Sequence, residues 1–382
     1  MKRNMQYSLY ALNFFSFFAI SLVNTQLIPL LASVGYSVVQ RGFILASNSI
    51  IAIIGQGIFG YLCDRFKKIK PFFFIAYSLL LISSLFMFMK TEQAFYYHLL
   101  TVSISGGMVK VIMGLDETWM LKVDQEHYGK LRAWGALGLT LGAPLAGFLV
   151  KTWSYRSIMI SLVITSIILF YFMFISKDAK GKEGEKVTLS NLKELLKNKN
   201  YLILVTIFLL IYMVGTADQY VVIDKMLDIG SSNEVVGVKW ALQSFMEVPL
   251  FLFASKILAK YNPSKLLLFG TIMYGIKFML YAYSFNGWLI VATASLQIVT
   301  LPIIMLTSKV FIKEVTPSSL YVSAQMFAMA IFIGVSGLIT PIITSYLSAY
   351  IGYNDTLYAV AAFTIIPFLL IIYYLKTSEN MR

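Results

Sequence analysis

The sequence has almost no cysteine or histidine: one Cys and two His in 382 residues. A single cysteine, Cys63, excludes an internal disulfide, and so few thiol or imidazole donors leave no metal-ligand cluster of the usual spacing. No cofactor is expected. Charge is scarce as well. Asp, Glu, Lys and Arg make up 13% of the chain against 58% hydrophobic residues, whereas soluble domains carry about 25% charged and roughly 45–50% apolar residues. With a mean hydropathy of +0.76, the composition excludes a soluble globular protein and reads as an integral membrane protein. The opening MKRNMQ runs into an apolar stretch without a small-residue cleavage site, so the first segment is expected to be retained. Acidic residues are the rarer sign, 18 against 31 basic ones, and the net charge is +13. That excess could suggest nucleic acid, but its distribution points elsewhere.

Twelve apolar segments have the ~20 residues that a membrane-crossing helix needs. They lie at about 7–31, 42–63, 71–90, 94–121, 131–151, 156–176, 201–224, 235–257, 264–285, 287–309, 319–346 and 354–376. The longest polar stretch, KDAKGKEGEKVTLSNLKELLKNKN at 177–200, divides them six and six. Its TLSNLKELL can form a short capped surface helix. The expected fold is an all-α membrane protein: an N-terminal six-helix bundle at 1–176, a cytoplasmic linker at 177–200 and a C-terminal six-helix bundle at 201–382.

One set of loops carries DRFKKIK, KVDQEHYGKLR, the linker, SKILAKYNPSK and SKVFIKE. The other carries SVGYSVVQR, KTEQ, KTWSYR, DKMLDIGSSNEVVGVK, SFNG and SAYIGYND. The first set is richer in Lys and Arg and is placed inside with both termini. The excess of positive charge is thus a signature of membrane orientation, not a nucleic-acid patch. Two six-helix halves suit an alternating-access transporter with its site between the repeats.

Charges inside the apolar segments need a reason, because one at the bilayer centre costs about 2.5–3.5 kcal/mol even on lenient insertion scales. GGMVKVIMGLDETWM at 106–120 carries Lys110, Asp116 and Glu117. Positions 107, 110, 114, 117 and 121 share a helix face, so Lys110 and Glu117 are expected to line a water-filled cavity. An interhelical ion pair is the alternative, and Asp116 points about a quarter turn away. Arg132 in GKLRAWGALG can enter the cavity, where its planar fork suits hydroxyls or a carboxylate, or snorkel to the surface. Trp119 and Trp134 can stack on a ligand ring or simply pack. Glu247, near the midpoint of WALQSFMEVPLFLF, is a candidate proton carrier. Lys277 lies at similar depth and can pair with Glu247 or with Asp218. Asn24, Gln26, Gln219, Gln243, Gln297 and Gln325 are uncharged hydrogen-bonding residues at membrane depth, each a helix tie or a ligand contact. GYLCDRFKK at 60–68 offers Asp64 and Arg65 as a conformational latch, or it is an ordinary basic loop.

The chain resembles the major facilitator superfamily over nearly its whole length. GYLCDRFKK is similar to the superfamily signature G-x-L-x-D-R-x-G-R-K at Gly60, Leu62, Asp64, Arg65 and Lys68, with Lys67 in place of the second glycine. More narrowly it resembles the lactose permease-like branch of oligosaccharide and nucleoside proton symporters. ETWMLKV followed by YGKLRAWGALG is similar to the segment in which an acid and an arginine bind substrate, which implies binding roles for Glu117 and Arg132. MEVPLF, GTIMYGIKFM, GTADQY and VSAQMF resemble segments whose polar residues fall at Glu247, Lys277, Asp218 and Gln325. Two positions depart. Gln297 and Thr300 stand where that branch carries histidine and a proton-binding glutamate, and Leu139 stands where a tryptophan stacks on a galactosyl ring. The resemblance implies a transporter of a small solute other than lactose, acting as a monomer in a bacterial cytoplasmic membrane, with protons and the lipid bilayer as its other partners. The expected substrate-binding set is Lys110, Asp116, Glu117, Trp119, Arg132 and Gln243. The expected coupling set is Glu247, Lys277 and Asp218, with Glu117 or Asp116 next after Glu247 as the proton-binding carboxylate, and the expected latch is Gly60, Asp64, Arg65 and Lys68.

Three functions compete. The first is proton-coupled import of a sugar, nucleoside or aromatic acid. The second is export of drugs or metabolites, since GALGLTLGAPLAG loosely resembles the glycine–proline motif of antiporters. The third is a non-transporting sensor or membrane enzyme, for which the sequence has no appended signalling domain and no nucleophile–base set.

Overall fold

The computed structural model describes residues 3–124, 128–179, 195–317 and 321–379, and these are helical almost throughout. Long apolar runs have no water-facing stripe, so their backbones must be satisfied internally, and a helix does that. The first part of the chain holds α1 (Arg3–Asn24), α2 (Leu27–Ser33), α3 (Val38–Phe66), α4 (Lys70–Met89), α5 (Phe95–Val123) and α6 (Tyr128–Ile175). The second holds α7 (Lys199–Asp228), α8 (Asn233–Leu252), α9 (Ala254–Lys260), α10 (Pro263–Tyr283), α11 (Gly287–Ala294), α12 (Leu301–Val315), α13 (Tyr321–Met329), α14 (Ser336–Phe363) and α15 (Ile365–Glu379). A 3₁₀ turn at Ser295–Val299 joins α11 to α12, and a π turn at Ala330–Val335 joins α13 to α14. Among the described residues, nine stretches are long and apolar enough to cross a membrane.

The segments expected at 131–151 and 156–176 form the single run α6, broken at Ser154, whose φ is 66°. The last two expected segments likewise share α14, broken at Gly352 with φ 83°. Two expected loops are largely helix. Arg41 of SVGYSVVQR lies in α3, and Asp224, Lys225 and Lys239 of DKMLDIGSSNEVVGVK lie in α7 and α8; all four are buried. Charge made these stretches look like loops, but buried partners accommodate it. Lys225 Nζ, for example, donates to the carbonyls of Tyr281 and Ala282 at the end of α10 (2.6 and 2.8 Å), satisfying carbonyls that a helix terminus leaves open.

Local signals set several boundaries. Ser37 and Gln40 form a reciprocal capping box at the start of α3. Lys67, in the position where the signature has glycine, ends α3 in the left-handed region (φ 55°), a conformation glycine adopts without the Cβ penalty. Asp178 accepts hydrogen bonds from the Ile69 and Lys70 amides at the start of α4 (3.0 Å each), a favourable place for an anion. The surface helix expected in TLSNLKELL falls largely outside the described residues.

In lipid, helices gain little from burying apolar surface against each other, so close packing through small residues holds them together. Gly138 of α6 sits against the α1 backbone at Phe14 and Phe18, where a methyl group would collide with the Phe14 carbonyl. The two parts of the chain meet along α6 with α8 and along α3 with α14. There Gly147 rests on the backbone of Asn233, and Gly237 on that of Ala143 and Pro144. Among the described residues, two ion pairs also join the parts: Arg41 with Asp224 (2.7 Å, both buried) and Lys151 with Glu234 (2.7 Å, more exposed). The two ion pairs and the Gly147–Asn233 contact lie close to the turns at Val34–Ser37, Ser154 and Ile229–Ser232. Phe74, Ile82, Phe86, Ile160, Ile164 and Ile167 face outward, as side chains against lipid do.

Candidate functional site

The helix α8 carries Lys239, Gln243 and Glu247 at successive i, i+4 positions, so they share one face. Opposite them stand Asp218 of α7, Lys277 of α10 and Gln297 of the 3₁₀ turn. Asp218 Oδ1 accepts from Lys239 Nζ (2.7 Å), and its Oδ2 accepts from Lys277 Nζ (2.6 Å) and Gln243 Nε2 (2.7 Å). Gln297 Oε1 accepts a second bond from Lys277 Nζ (2.6 Å), while its Nε2 donates to Glu247 Oε1 (2.8 Å). Both lysines are fully buried, and Lys277 also lies over the rings of Tyr274 and Tyr281. Asp218 is therefore the ion-pair partner of Lys277, and Glu247 reaches that lysine only through Gln297. The turn from α11 into α12 presents Gln297 for this bridge: Thr300 departs from helical geometry (φ −112°, ψ −100°), and its Oγ1 donates to the Gln297 carbonyl (3.3 Å).

Lys239 is the functional candidate that sequence reasoning missed. It closes the polar stretch DKMLDIGSSNEVVGVK just inside the segment expected at 235–257, with no role assigned to it. The signal was its spacing, four residues before Gln243 and eight before Glu247.

The first part of the chain arranges its charges differently. Lys110 Nζ donates to Ser49 Oγ of α3 (2.8 Å) and fills the space that Gly337 of α14 leaves open. Arg132 lies over the Phe17 ring, 4.7 Å from its centroid. Asn13 of α1 donates to the Leu131 carbonyl, fixing the start of α6 beside it. Asp116 is fully buried and neither carboxyl oxygen has a hydrogen-bond partner.

Two cavities adjoin. One is lined by Asn13, Phe17, Met113, Asp116, Glu117, Met120 and Arg132. The other lies between α6 and α8 and is lined by Arg132, Ala136, Leu139, Ser244, Glu247 and Leu252, among others. Arg132 belongs to both. The structure thus brings Asp116, Glu117, Arg132 and Glu247 around two cavities that share Arg132. Leu139 lines the second cavity without a tryptophan's ring.

Other expected residues lie elsewhere. Trp119 is fully buried, packs edge-on against Phe73 (5.4 Å) and donates its indole N–H to the Lys177 carbonyl (3.0 Å). It lines neither cavity. Trp134 is exposed and stacks on Tyr10 (6.2 Å). Gln243 is committed to Asp218. Lys110 and Glu117 lie two turns apart on α5 and are not paired with each other. Of the expected latch, Gly60 has open space around it, and Arg65 and Lys68 are exposed. The Arg65 guanidinium lies 5.7 Å from the Phe66 ring centroid, and the Asp64 side chain is outside the description. Asn24 and Gln219 line a third, small cavity with Thr25, Tyr220 and Trp240.

Long apolar helices that carry charged side chains into two adjoining cavities are the architecture of a membrane transporter. A family model described as MFS_1 like matches residues 7–371, and the chain belongs to that family. It is 22% identical to the transporter YwbF of Bacillus subtilis over 351 residues, covering 89% of this chain and 86% of that protein. It is also 22% identical to the sucrose permease of Escherichia coli over 382 residues, covering 91% and 87% of the two chains. Among solved structures, the nucleoside transporter NupG superimposes with a TM-score of 0.82 at 16% identity, covering 98% of this chain and 99% of that one. A D-xylose–proton symporter superimposes with a TM-score of 0.72 at 17% identity, covering 96% and 97%. The fold and the relatives are those of multi-pass membrane transporters of small solutes.

Proposed function

We propose that this chain takes up a small polar solute, a sugar, nucleoside or aromatic acid, together with protons by alternating access. The observation that carries the reading is the position of Arg132. This one guanidinium borders both the cavity with Asp116 and Glu117 and the cavity with Glu247. A solute bound there touches both halves, so its binding can favour one arrangement of the halves over another. Arg132 and Glu117 bind the solute, with Lys110 beside α14. Glu247 takes up and releases the coupled proton, which it signals through Gln297 to Lys277 and Asp218.

The proposed topology has twelve crossings in two bundles, 1–176 and 201–382. The breaks at Ser154 and Gly352 each divide one long stretch into two crossings, and α8 with α9 supplies another. Both termini then lie on one face, which the Lys and Arg distribution favours as cytoplasmic. The contacts near Val34–Ser37, Ser154 and Ile229–Ser232 are read as the closed outer end of an inward-facing state. The proposed setting is the cytoplasmic membrane of a bacterium, with the monomer as working unit.

The test adds candidate sugars, nucleosides and aromatic acids one at a time to de-energised cells making the protein, while external pH is recorded. One compound is expected to raise the pH in wild-type cells and not in Glu247→Gln cells. No pH change with any compound, together with proton release from energised vesicles on adding lipophilic drugs, would assign the protein to export instead.

A further inference from the structure

The two other buried carboxyls considered so far, and the partly buried Glu247, have partners. Asp218 has two ammonium groups and an amide, Asp224 has the Arg41 guanidinium, and Glu247 has Gln297. Asp116 is 1% exposed and has none for either oxygen. Few groups face it. From α1 comes Ser16, whose hydroxyl is also buried and unpartnered; from α6 comes Arg132, and from α5 itself Glu117, a like charge. Arg132 lines the same cavity but is turned to the Phe17 ring. An ionised carboxylate removed from water without a compensating bond costs far more than the same group kept neutral. A neutral carboxyl needs only one acceptor for its O–H, and Ser16 Oγ offers that acceptor.

We propose that Asp116 is a second proton-binding site, in the half of the protein opposite Glu247. It holds a proton while Arg132 lies over Phe17. When Arg132 turns to it, the carboxyl O–H bond breaks, the proton passes to water in the cavity, and the carboxylate left behind pairs with the guanidinium. The same guanidinium is the proposed solute contact, so the solute and the Asp116 carboxylate compete for it, and a bound solute leaves Asp116 holding its proton. A metal cation fits the site less well. Two carboxyl oxygens and one hydroxyl fall short of the roughly six oxygens that hard cations gather, and Arg132 repels a second positive charge. The inference rests on the proton-coupled reading above and adds a coupling residue to it.

Infrared difference spectroscopy of the purified protein, titrated across the neutral range, reads the carbonyl stretch of protonated carboxyl groups without any solute. A band at neutral pH is expected that disappears in Asp116→Asn, persists in Glu247→Gln, and shifts without disappearing in Asp116→Glu. The Glu variant keeps the test valid if the Asn variant does not fold. A spectrum unchanged by both Asp116 substitutions overturns the proposal. Loss of the band on adding sodium chloride at constant pH also overturns it, in favour of a sodium site. The band can be assigned even if no compound alkalinises the medium, so failure of the uptake reading is seen separately. Full solute-driven alkalinisation by Asp116→Asn cells would sink this proposal and leave the uptake reading intact.

Discussion

In the second half of the chain, Asp218 is held by Lys239, Lys277 and Gln243 at 2.7 Å or less. In the first half, Lys110 has one serine, Arg132 lies over one ring, and Asp116 has no partner. The two clusters differ in how far their bonds are satisfied. A saturated cluster fixes helices relative to one another, because each charge depends on all the others. An unsaturated one is poised for a ligand, because its groups lose little when they turn toward something new. The division of labour between framework and binding follows from that difference.

The sharpest way to break the comparison is Asp218→Asn. It leaves two buried ammonium groups without their carboxylate, and losing one partner of a buried pair costs about 3–5 kcal/mol. Size-exclusion chromatography and thermal unfolding should show little stable protein. Adding Lys239→Met should restore part of the loss, since one orphaned charge is removed; a double variant less stable than the single would contradict the saturated-cluster account. In the unsaturated cluster, Arg132→Ala should do the reverse. Uptake should fall roughly 10–100-fold, the worth of a charged hydrogen bond to solute, while stability changes by less than ~1 kcal/mol, the scale of a cation–ring contact. Asp224→Asn leaves Arg41 unpaired where the halves meet. A cysteine replacing Asn24, in a Cys63→Ser background, should then react severalfold faster with a membrane-impermeant thiol reagent. Trp119→Phe should have the smallest effect, about 1 kcal/mol for one lost hydrogen bond, with unchanged uptake.

Much of the fold was legible because apolar runs of membrane length are a strong signal and the polar stretch at 177–200 is a clear divide. The breaks at Ser154 and Gly352 fall in the expected loops KTWSYR and SAYIGYND, although helix runs up to both of them. Within the site, Glu117, Arg132 and Glu247 each stood out as charges in apolar surroundings, but that Arg132 adjoins both acids was not legible. Nor was partner choice. Asp218, rather than Glu247, meets Lys277 because the 3₁₀ turn carries Gln297 between Glu247 and the lysine, and such a turn has no sequence marker. Trp119 could not be told from a ligand-stacking ring, since its fate depends on the Lys177 carbonyl 58 positions away. Lys239 was hidden by its neighbours, although its helical spacing was on view.

Where Gly147 lies on Asn233 and Gly237 on Ala143 and Pro144, one main chain bears on another with no side chains meshed between them. Such a seam works like a plain bearing. On the alternating-access reading the halves roll along it without any rotamer at these glycines having to disengage, and the ion pairs Arg41–Asp224 and Lys151–Glu234 beside it resist opening. A bulky residue set into the seam becomes grit, and Gly147→Leu is expected to wedge the turns apart and jam the cycle with those ends separated.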